Sequence, residues 1–295
     1  MAHVPQQTAA HSASRRRAAC CVLLVWAMAV SLAGCQSAEK RLVASNHRDW
    51  TPDLAVLPTA DFEGDTVEVH NVRYCKYYSP TEYVVDHYDK RFDLSRVQAV
   101  DFISMPFGPV PMLAHTLLSF EFAPAEPGGD PEHLAVSVEV RKEKGEEKFN
   151  PLLGLARQYE ITYVVADERD LLDRQVNAYD MPTYVYRTVA EPADARALLV
   201  DMLERANELS EKPEFYDLLT NNCTTNLADH VNELKPSRIT YDIGVLLPGL
   251  SARKAYAERL LPRDKPFEEL EAEALINDRA RLAAGSEDFS KAIRR

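Results

Sequence analysis

The N-terminal segment constrains this chain most, because it decides where the remaining residues fold. Arg15–Arg17 precede an apolar run over residues 18–30, and the small residues Ala33 and Gly34 come after it. A basic stretch, a short apolar stretch and a small-residue cleavage site are typical of a secretory signal peptide. That apolar run is short for a membrane span, and no later run is long enough for one. Such a segment can be a lipoprotein signal, a plain secretory signal or an uncleaved anchor.

The end of this segment indicates lipidation. Residues 32–35, Leu-Ala-Gly-Cys, resemble a bacterial lipobox, in which Cys35 is acylated and the peptide before it, residues 1–34, is removed. That cleavage removes three of 34 Lys and Arg and none of 46 Asp and Glu, so 31 minus 46 leaves a net charge of −15. We therefore exclude nucleic acid as a partner and expect acyl chains to supply the membrane affinity. No aspartate directly follows Cys35, since the next residues are Gln36 and Ser37. By resemblance to enterobacterial lipoprotein sorting, this favours the outer membrane.

Alternating apolar and polar residues predict a sheet in the first part of the mature chain. A turn-rich segment at Ala123–Asp130 predicts that its two flanking strands form an antiparallel hairpin. The predicted strands are Thr66–Tyr74, Val97–Ser104, His115–Phe122, Leu134–Arg141, Tyr159–Val165 and Thr183–Thr188.

Helical periodicity takes over later in the chain. It predicts one helix over Pro192–Leu209 and a second that Asn221 or Asn222 caps and that ends before Pro236. Charged helices are expected after them. We accordingly expect a signal peptide (1–34), a lipidated cysteine and tether (35–60), a folded domain (61–250) and a C-terminal helical extension (251–295).

A polar run, Thr220–Asn226, places Cys223 in the first turn of the second helix. Free N–H groups and the positive end of the helix dipole favour a thiolate there over a thiol. A cysteine nucleophile also needs a base and an orienting group, which the fold brings close.

His115 is the preferred base. Strand alternation places His115, Ser119 and Glu121 on one side of their strand, and Ser137 and Glu139 on one side of the partner strand, while the opposite side of each strand is apolar. We therefore expect the polar sides of the two strands to lie next to each other in the hairpin, with His115 near Glu139. The candidate set is Cys223 as nucleophile, His115 as base and Glu139, or Ser137, as orienter.

Interpretations without a catalytic role also stay open for these residues. His115 can be a half-buried strand histidine and Cys223 a small buried hydrophobe. In an oxidising compartment Cys75 and Cys223 can form a structural disulfide, although aromatic neighbours favour a buried thiol at Cys75. The sequence has no metal-ligand spacing and no glycine-rich phosphate loop, so we expect neither a metal nor a cofactor.

Several motifs in one order resemble the Lnb N-terminal periplasmic domain family, over about residues 45–250. They are Asn71–Arg73, Tyr88–Leu94, Ala114–Phe120, Ser137–Glu146, Arg157–Glu160, Asp167–Asp170 and Thr220–Asn226. The resemblance implies an α+β fold of permuted papain-like (NlpC-type) kind, with an antiparallel sheet packed against the cysteine-bearing helix.

The resemblance also implies a function. The named member of that family is a lipoprotein N-acyltransferase, so Cys223 would form an acyl-thioester and His115 would be its base, acting on lipid or lipoprotein. By the same resemblance, Asn222 or Thr224 would help to hold the oxyanion, together with backbone N–H groups at the helix start. A thiol acyltransferase or acyl hydrolase of the bacterial periplasm is the first hypothesis. The alternatives are a cysteine peptidase or amidase acting on cell-wall peptides, and a non-catalytic envelope lipoprotein with a Cys75–Cys223 disulfide.

Overall fold

The structure is a computed structural model that describes residues 42–107, 112–146, 149–286 and 288–295. The signal segment and Cys35 lie outside the described residues. The chain divides into residues 1–44 and a folded unit of residues 45–295, and the description below concerns that unit.

The strands of this unit are rich in β-branched and aromatic residues, which suit a pleated surface buried on at least one face. They are β1 (Thr59–Glu63), β2 (Thr66–Arg73), β3 (Lys76–Tyr77), β4 (Tyr83–Val84), β5 (His87–Asp93), β6 (Val97–Pro106), β7 (Ala114–Phe122), β8 (Glu132–Arg141), β9 (Glu160–Asp167) and β10 (Tyr184–Arg187). The six strands expected from the sequence are all present within a few residues of their predicted bounds.

One mixed sheet holds most of these strands, in the order β1-β2-β9-β8-β7-β6-β10, and β5 also pairs with β2. We expected an antiparallel sheet. The pairing of β2 with β9 is parallel, with Arg73 opposite Ala166, whereas the other pairs in this sheet are antiparallel. The expected hairpin is confirmed, since β7 and β8 pair in antiparallel register with Leu117 opposite Ser137.

The helices come mainly after the sheet strands. They are α1 (Pro151–Leu155), α2 (Glu168–Asp173), α3 (Pro192–Glu211), α4 (Cys223–Leu234), α5 (Ile243–Leu246), α6 (Ser251–Ala257), α7 (Phe267–Ala274), α8 (Asn277–Leu282) and α9 (Phe289–Ala292). A π-helical turn, Arg174–Ala178, directly follows α2. In the part of the chain that the structure describes, no helix has the length and apolar character needed to cross a bilayer.

Both faces of the sheet are buried, each under its own helices. On one face Leu118 and Phe120 of β7 share a core with Met202 of α3 and Leu227 of α4. On the other, Leu117 packs with residues of α2 and of the C-terminal helices, namely Leu171, Leu172, Ala280 and Phe289. The fold is therefore α+β, with the sheet as the middle layer of three.

This layering corrects the expectation of a polar hairpin face. Ser119 and Ser137 are fully buried, and Ser119 Oγ donates a hydrogen bond of 2.6 Å to Glu168 of α2. Arg294, just after α9, pairs with that same carboxylate at 2.8 Å. The polar side chains are satisfied inside the protein and not by water, because α2 and the C-terminal helices cover the face that alternation alone would leave exposed.

Residues 45–60, which the sequence assigned to the tether, belong to the folded unit. Trp50 and Leu54 are buried, and Asp53 forms an ion pair with Arg174 at 3.4 Å. The aromatic face of Trp50 also lies 4.3 Å from the guanidinium of Arg141 in β8. Arg141 also donates to the Leu54 carbonyl at 2.9 Å, so these contacts hold the segment against β8.

Candidate functional site

Cys223 is the first residue of α4, and a capping box fixes the start of that helix. The Asn222 side chain accepts a hydrogen bond of 2.9 Å from the Thr225 N–H, and the Thr225 hydroxyl accepts one of 2.8 Å from the Asn222 N–H. This reciprocal pair ends the irregular chain before α4 and sets the direction of its first turn. The Cys223 side chain is held in that turn and is only 4% exposed.

The start of β7 meets the start of α4. Thr116 Oγ1 lies 3.2 Å from Thr224 Oγ1, and Cys223 Sγ lies 4.0 Å from the carbonyl oxygen of Ala114. These contacts place His115, the residue after Ala114, beside Cys223, so that the two side chains interact electrostatically. The histidine and the cysteine that the sequence selected therefore lie together, although 108 positions separate them in the chain.

The two side chains shift each other's protonation. Burial acts to raise the pKa of the Cys223 thiol, but the hydrogen bond and positive charge of His115 outweigh it and lower the pKa to about 7. Burial acts to lower the pKa of His115, but the sulfur of Cys223 and the carboxylate of Glu139 raise it above its ordinary value. The site therefore favours a thiolate beside an imidazolium.

Ser137 is the residue in direct contact with the base. His115 Nε2 lies 2.7 Å from Ser137 Oγ, whereas it lies 4.0 Å from Glu139 Oε1. Ser137 Oγ in turn donates to Glu139 Oε1 at 3.2 Å. Because the single hydroxyl proton points to Glu139, the serine oxygen accepts from the Nε2–H, which leaves Nδ1 for the thiol. Of the two residues that the sequence offered as orienter, Ser137 therefore contacts His115 directly, and Glu139 acts on His115 through Ser137.

A buried arginine holds Glu139, and sequence reasoning missed it. Arg174 Nη1 lies 3.9 Å from Glu139 Oε2, and Arg174 is 7% exposed. Burial acts to raise the pKa of Glu139, but Arg73, Arg174 and His115 hold that pKa below its usual range. Glu139 is therefore ionised and draws the serine hydroxyl towards itself.

Arg73 belongs to the same group of buried charges, and the sequence contained a signal for it. Its guanidinium forms a buried ion pair with Asp170 at 2.7 Å, and Asp170 also accepts the N–H of Cys75. Both Arg73 and Asp170 lie in motifs that carried the family resemblance. Arg174 lies just beyond such a motif, and nothing in its local sequence pattern marks it.

The two support residues named from the sequence have different surroundings. Both polar atoms of the Asn222 side chain are engaged, since Nδ2 donates to the Leu218 carbonyl at 2.7 Å and Oδ1 accepts from Thr225. The Thr224 hydroxyl lies 3.9 Å from Cys223 Sγ and bonds Thr116. Helix geometry leaves the first N–H groups of α4 without partners inside the helix, so backbone amides are the donors at this position.

The two cysteines of the folded unit are not bridged. Cys75 and Cys223 are both free and buried, so the expected alternative of a disulfide between them is wrong and the buried thiol at Cys75 is confirmed. Cys75 lies beside Asp170, and burial raises the pKa of its thiol to about 11. The two thiols therefore differ strongly in acidity, and only Cys223 has a histidine partner among its interactions.

Other histidines of the described residues have partners away from Cys223. His230 Nδ1 pairs with Asp201 at 2.5 Å and its Nε2 with the Tyr163 hydroxyl at 2.5 Å, which ties α3, α4 and β9 together. His70 of β2 is partly exposed and lies between Asp61 of β1 and Asp89 of β5. These contacts are consistent with structural or surface roles.

One cluster within the described ranges has metal-ligand chemistry. Asp101, Glu121 and His133 come from adjacent strands, and their ligand atoms lie within 4.8 Å of one another. The sequence predicted no metal site, because no local spacing unites these residues. Arg187 pairs with both carboxylates, at 2.7 Å from Asp101, and Arg294 also lies 2.7 Å from Asp101. The arginines balance the acidic charge, so the cluster is an ion-pair network.

Comparison with known proteins adds a family. The model of the Lnb N-terminal periplasmic domain family matches residues 84–249, which include β5 to α5 and every candidate site residue of the folded unit. Searches of the curated proteins and of the solved structures find no significant match. The match covers more than half of the chain and indicates a periplasmic protein. On this evidence the chain belongs to the Lnb N-terminal periplasmic domain family.

Proposed function

We propose that the protein is a thiol-dependent acyltransferase or acyl hydrolase that acts on lipid or lipoprotein through an acyl-thioester at Cys223. The observation that carries the proposal is the position of Cys223 in the first turn of α4, with its Sγ 4.0 Å from the carbonyl oxygen of Ala114 and beside His115, whose interaction lowers the pKa of the thiol to about 7. A thiolate populated at neutral pH is the nucleophile of acyl transfer, and the Ser137 contact orients its base.

The first half-reaction forms the thioester. The Cys223 thiolate attacks the carbonyl carbon of an ester, and the new C–S bond forms a tetrahedral oxyanion. Backbone N–H groups at the start of α4 are placed to stabilise that charge. As the oxyanion collapses, the bond to the leaving alcohol breaks and the His115 imidazolium gives that alcohol its proton.

The second half-reaction releases the acyl group. Neutral His115 takes a proton from the acceptor, an amine in a transferase or water in a hydrolase, as the acceptor attacks the thioester carbonyl. The C–S bond then breaks, and the thiolate and imidazolium are restored. Ser137, held by Glu139, keeps the imidazole in the tautomer with its proton on Nε2 throughout.

The order of the parts supports a permuted papain-like relationship. A histidine strand (β7) comes first, a polar strand (β8) second and the cysteine helix (α4) last, as in the family resemblance. We further propose that acylation of Cys35 anchors the protein to the membrane, with the outer membrane favoured, so that the folded unit meets its substrates at a bilayer surface.

The test compares matched cysteine variants of the full chain in phospholipid vesicles. Cys223→Ala is expected to abolish acyl transfer to a lipoprotein peptide and release of fatty acid, with an unchanged melting temperature. Cys75→Ala, which removes the other buried thiol, is the control and is expected to retain activity. Wild-type turnover by Cys223→Ala would refute the proposal, and release of peptides from cell-wall fragments in place of fatty acid would show a peptidase.

A further inference from the structure

An apolar cavity lies beside α4, on the face of the sheet that carries α3. It measures about 180 Å³ and lies between the sheet, α3, α4 and the segment of the C-terminal helices. Its walls are mainly aliphatic and aromatic side chains, among them Phe102, Leu118, Leu198, Leu227, Val231 and Leu261. Apolar cavities of about 150 Å³ exclude water and bind small hydrocarbons, so this volume is large enough for an apolar ligand.

The cavity begins one residue after the candidate nucleophile Cys223. Thr224, the residue after Cys223, lines it, and Ala228, Val231 and Leu234 continue the same wall at helical spacing. From Thr224 to Leu234 this wall is about 15 Å long, at 1.5 Å per helical residue. Cys223 itself does not line the cavity, so a linear group attached to it would enter this wall at Thr224 and follow α4 towards the exposed Leu234.

We infer that this cavity holds part of the unbranched acyl chain of the group that Cys223 carries, on the order of seven carbons, since a cavity of about 150 Å³ holds a six-carbon ring. The inference rests on the proposed function and specifies its substrate as a linear acyl donor. A hydrocarbon chain enters such walls without burying unpaired polar atoms, whereas a peptide would bring N–H and C=O groups that these side chains cannot pair. Lys235 and Arg238 follow the α4 wall at its far end, and the other polar residues of the lining, Thr188, Asp194, Thr224, Ser251 and Lys254, are outnumbered by apolar ones.

The experiment locates the chain directly by photo-crosslinking. The full-length Cys223→Ser variant, in phosphatidylcholine vesicles, is irradiated with a diazirine analogue of palmitate, and the labelled peptides are identified by mass spectrometry. We expect the labels on segments that line the cavity, Leu227–Leu234 and Leu260–Leu261, and competition by unlabelled palmitate.

Two tryptophan variants on the same helix provide a matched pair. Val231→Trp fills the cavity and is expected to reduce labelling about tenfold or more, because the indole ring takes the space that the chain would occupy. Glu233→Trp adds the same bulk on the exposed face of α4 and is expected to leave labelling unchanged. Circular dichroism checks the fold, and Ala255→Phe blocks the cavity from α6 if Val231→Trp does not fold.

The outcomes separate this inference from the proposed function. Equal labelling of the two tryptophan variants, or labels confined to surface peptides, would overturn the cavity assignment. Cavity labelling in a protein whose wild-type Cys223 never becomes acylated would overturn the proposed function and the attachment of the chain to Cys223, and would leave the cavity as a site for a free fatty acid. Acylation of Cys223 without cavity labelling would overturn the inference alone.

Discussion

The pH dependence of alkylation at Cys223 is set by its contact with His115. With the pKa of the thiol at about 7, half of Cys223 is thiolate at pH 7, whereas a thiol with a pKa of 9.0 is about 1% thiolate. The roughly fiftyfold gain in thiolate is partly offset, because nucleophilicity falls about tenfold over two pKa units. The alkylation rate of Cys223 at pH 7 therefore rises only about fivefold, so the midpoint of its pH profile is the better test of the lowered pKa.

The assay measures iodoacetamide labelling of Cys223 and Cys75 in the same sample by mass spectrometry. Cys223 is expected to show a midpoint near pH 7, while Cys75, whose pKa is raised to about 11 by burial, stays unlabelled until far higher pH. In His115→Ala, burial is opposed only by the hydrogen bonds of Thr116, so the Cys223 midpoint is expected to rise well above pH 7. A midpoint that does not move in His115→Ala would refute the electrostatic argument.

Three further predictions concern the surroundings of the site. Ser137→Ala is expected to lower kcat/KM about 10- to 100-fold without changing the melting temperature, because a charge-assisted hydrogen bond of 2.7 Å to His115 is lost; a smaller effect would argue against an orienting role. Arg294→Met leaves Glu168 buried and unpaired and is expected to cost about 3–5 kcal/mol in urea unfolding, with Arg294→Lys partly restoring stability. Burial raises the pKa of Asp167 to about 6, so the folded state binds the proton more tightly and stability falls as pH rises from about 4 through 6. Asp167→Asn, which keeps the helix cap, is expected to add up to about 2–3 kcal/mol at pH 8 and nothing at pH 3, and equal effects at both pH values would contradict this.

Local sequence patterns predicted the elements that carry the site. Alternation identified β7 and β8, and periodic leucines identified α3, because each of these elements buries a regular apolar face. β1 and β5 were missed, since most of their residues are polar and exposed at the margin of the sheet. Edge strands owe their structure to backbone pairing, which leaves little trace in side-chain patterns.

The second buried layer could not be predicted from these patterns. The sequence placed Ser119 and Ser137 on an open polar face, whereas both are buried beneath helices that come much later in the chain. The same long-range packing brings Arg174 to Glu139 and makes Ser137 the direct partner of His115. Alternation identifies which residues share a face, but the covering of that face depends on tertiary contacts.

The measurement that tests the central claim most directly is capture of an acyl group on Cys223. Full-length protein is incubated with phospholipid vesicles, quenched with acid during turnover and digested for mass spectrometry, with the Cys75 peptide as internal control. We predict a fatty-acyl mass on the Cys223 peptide that hydroxylamine removes, and its loss in both Cys223→Ala and His115→Ala. Release of fatty acid by wild-type protein with no hydroxylamine-sensitive acyl group on Cys223 would contradict the account.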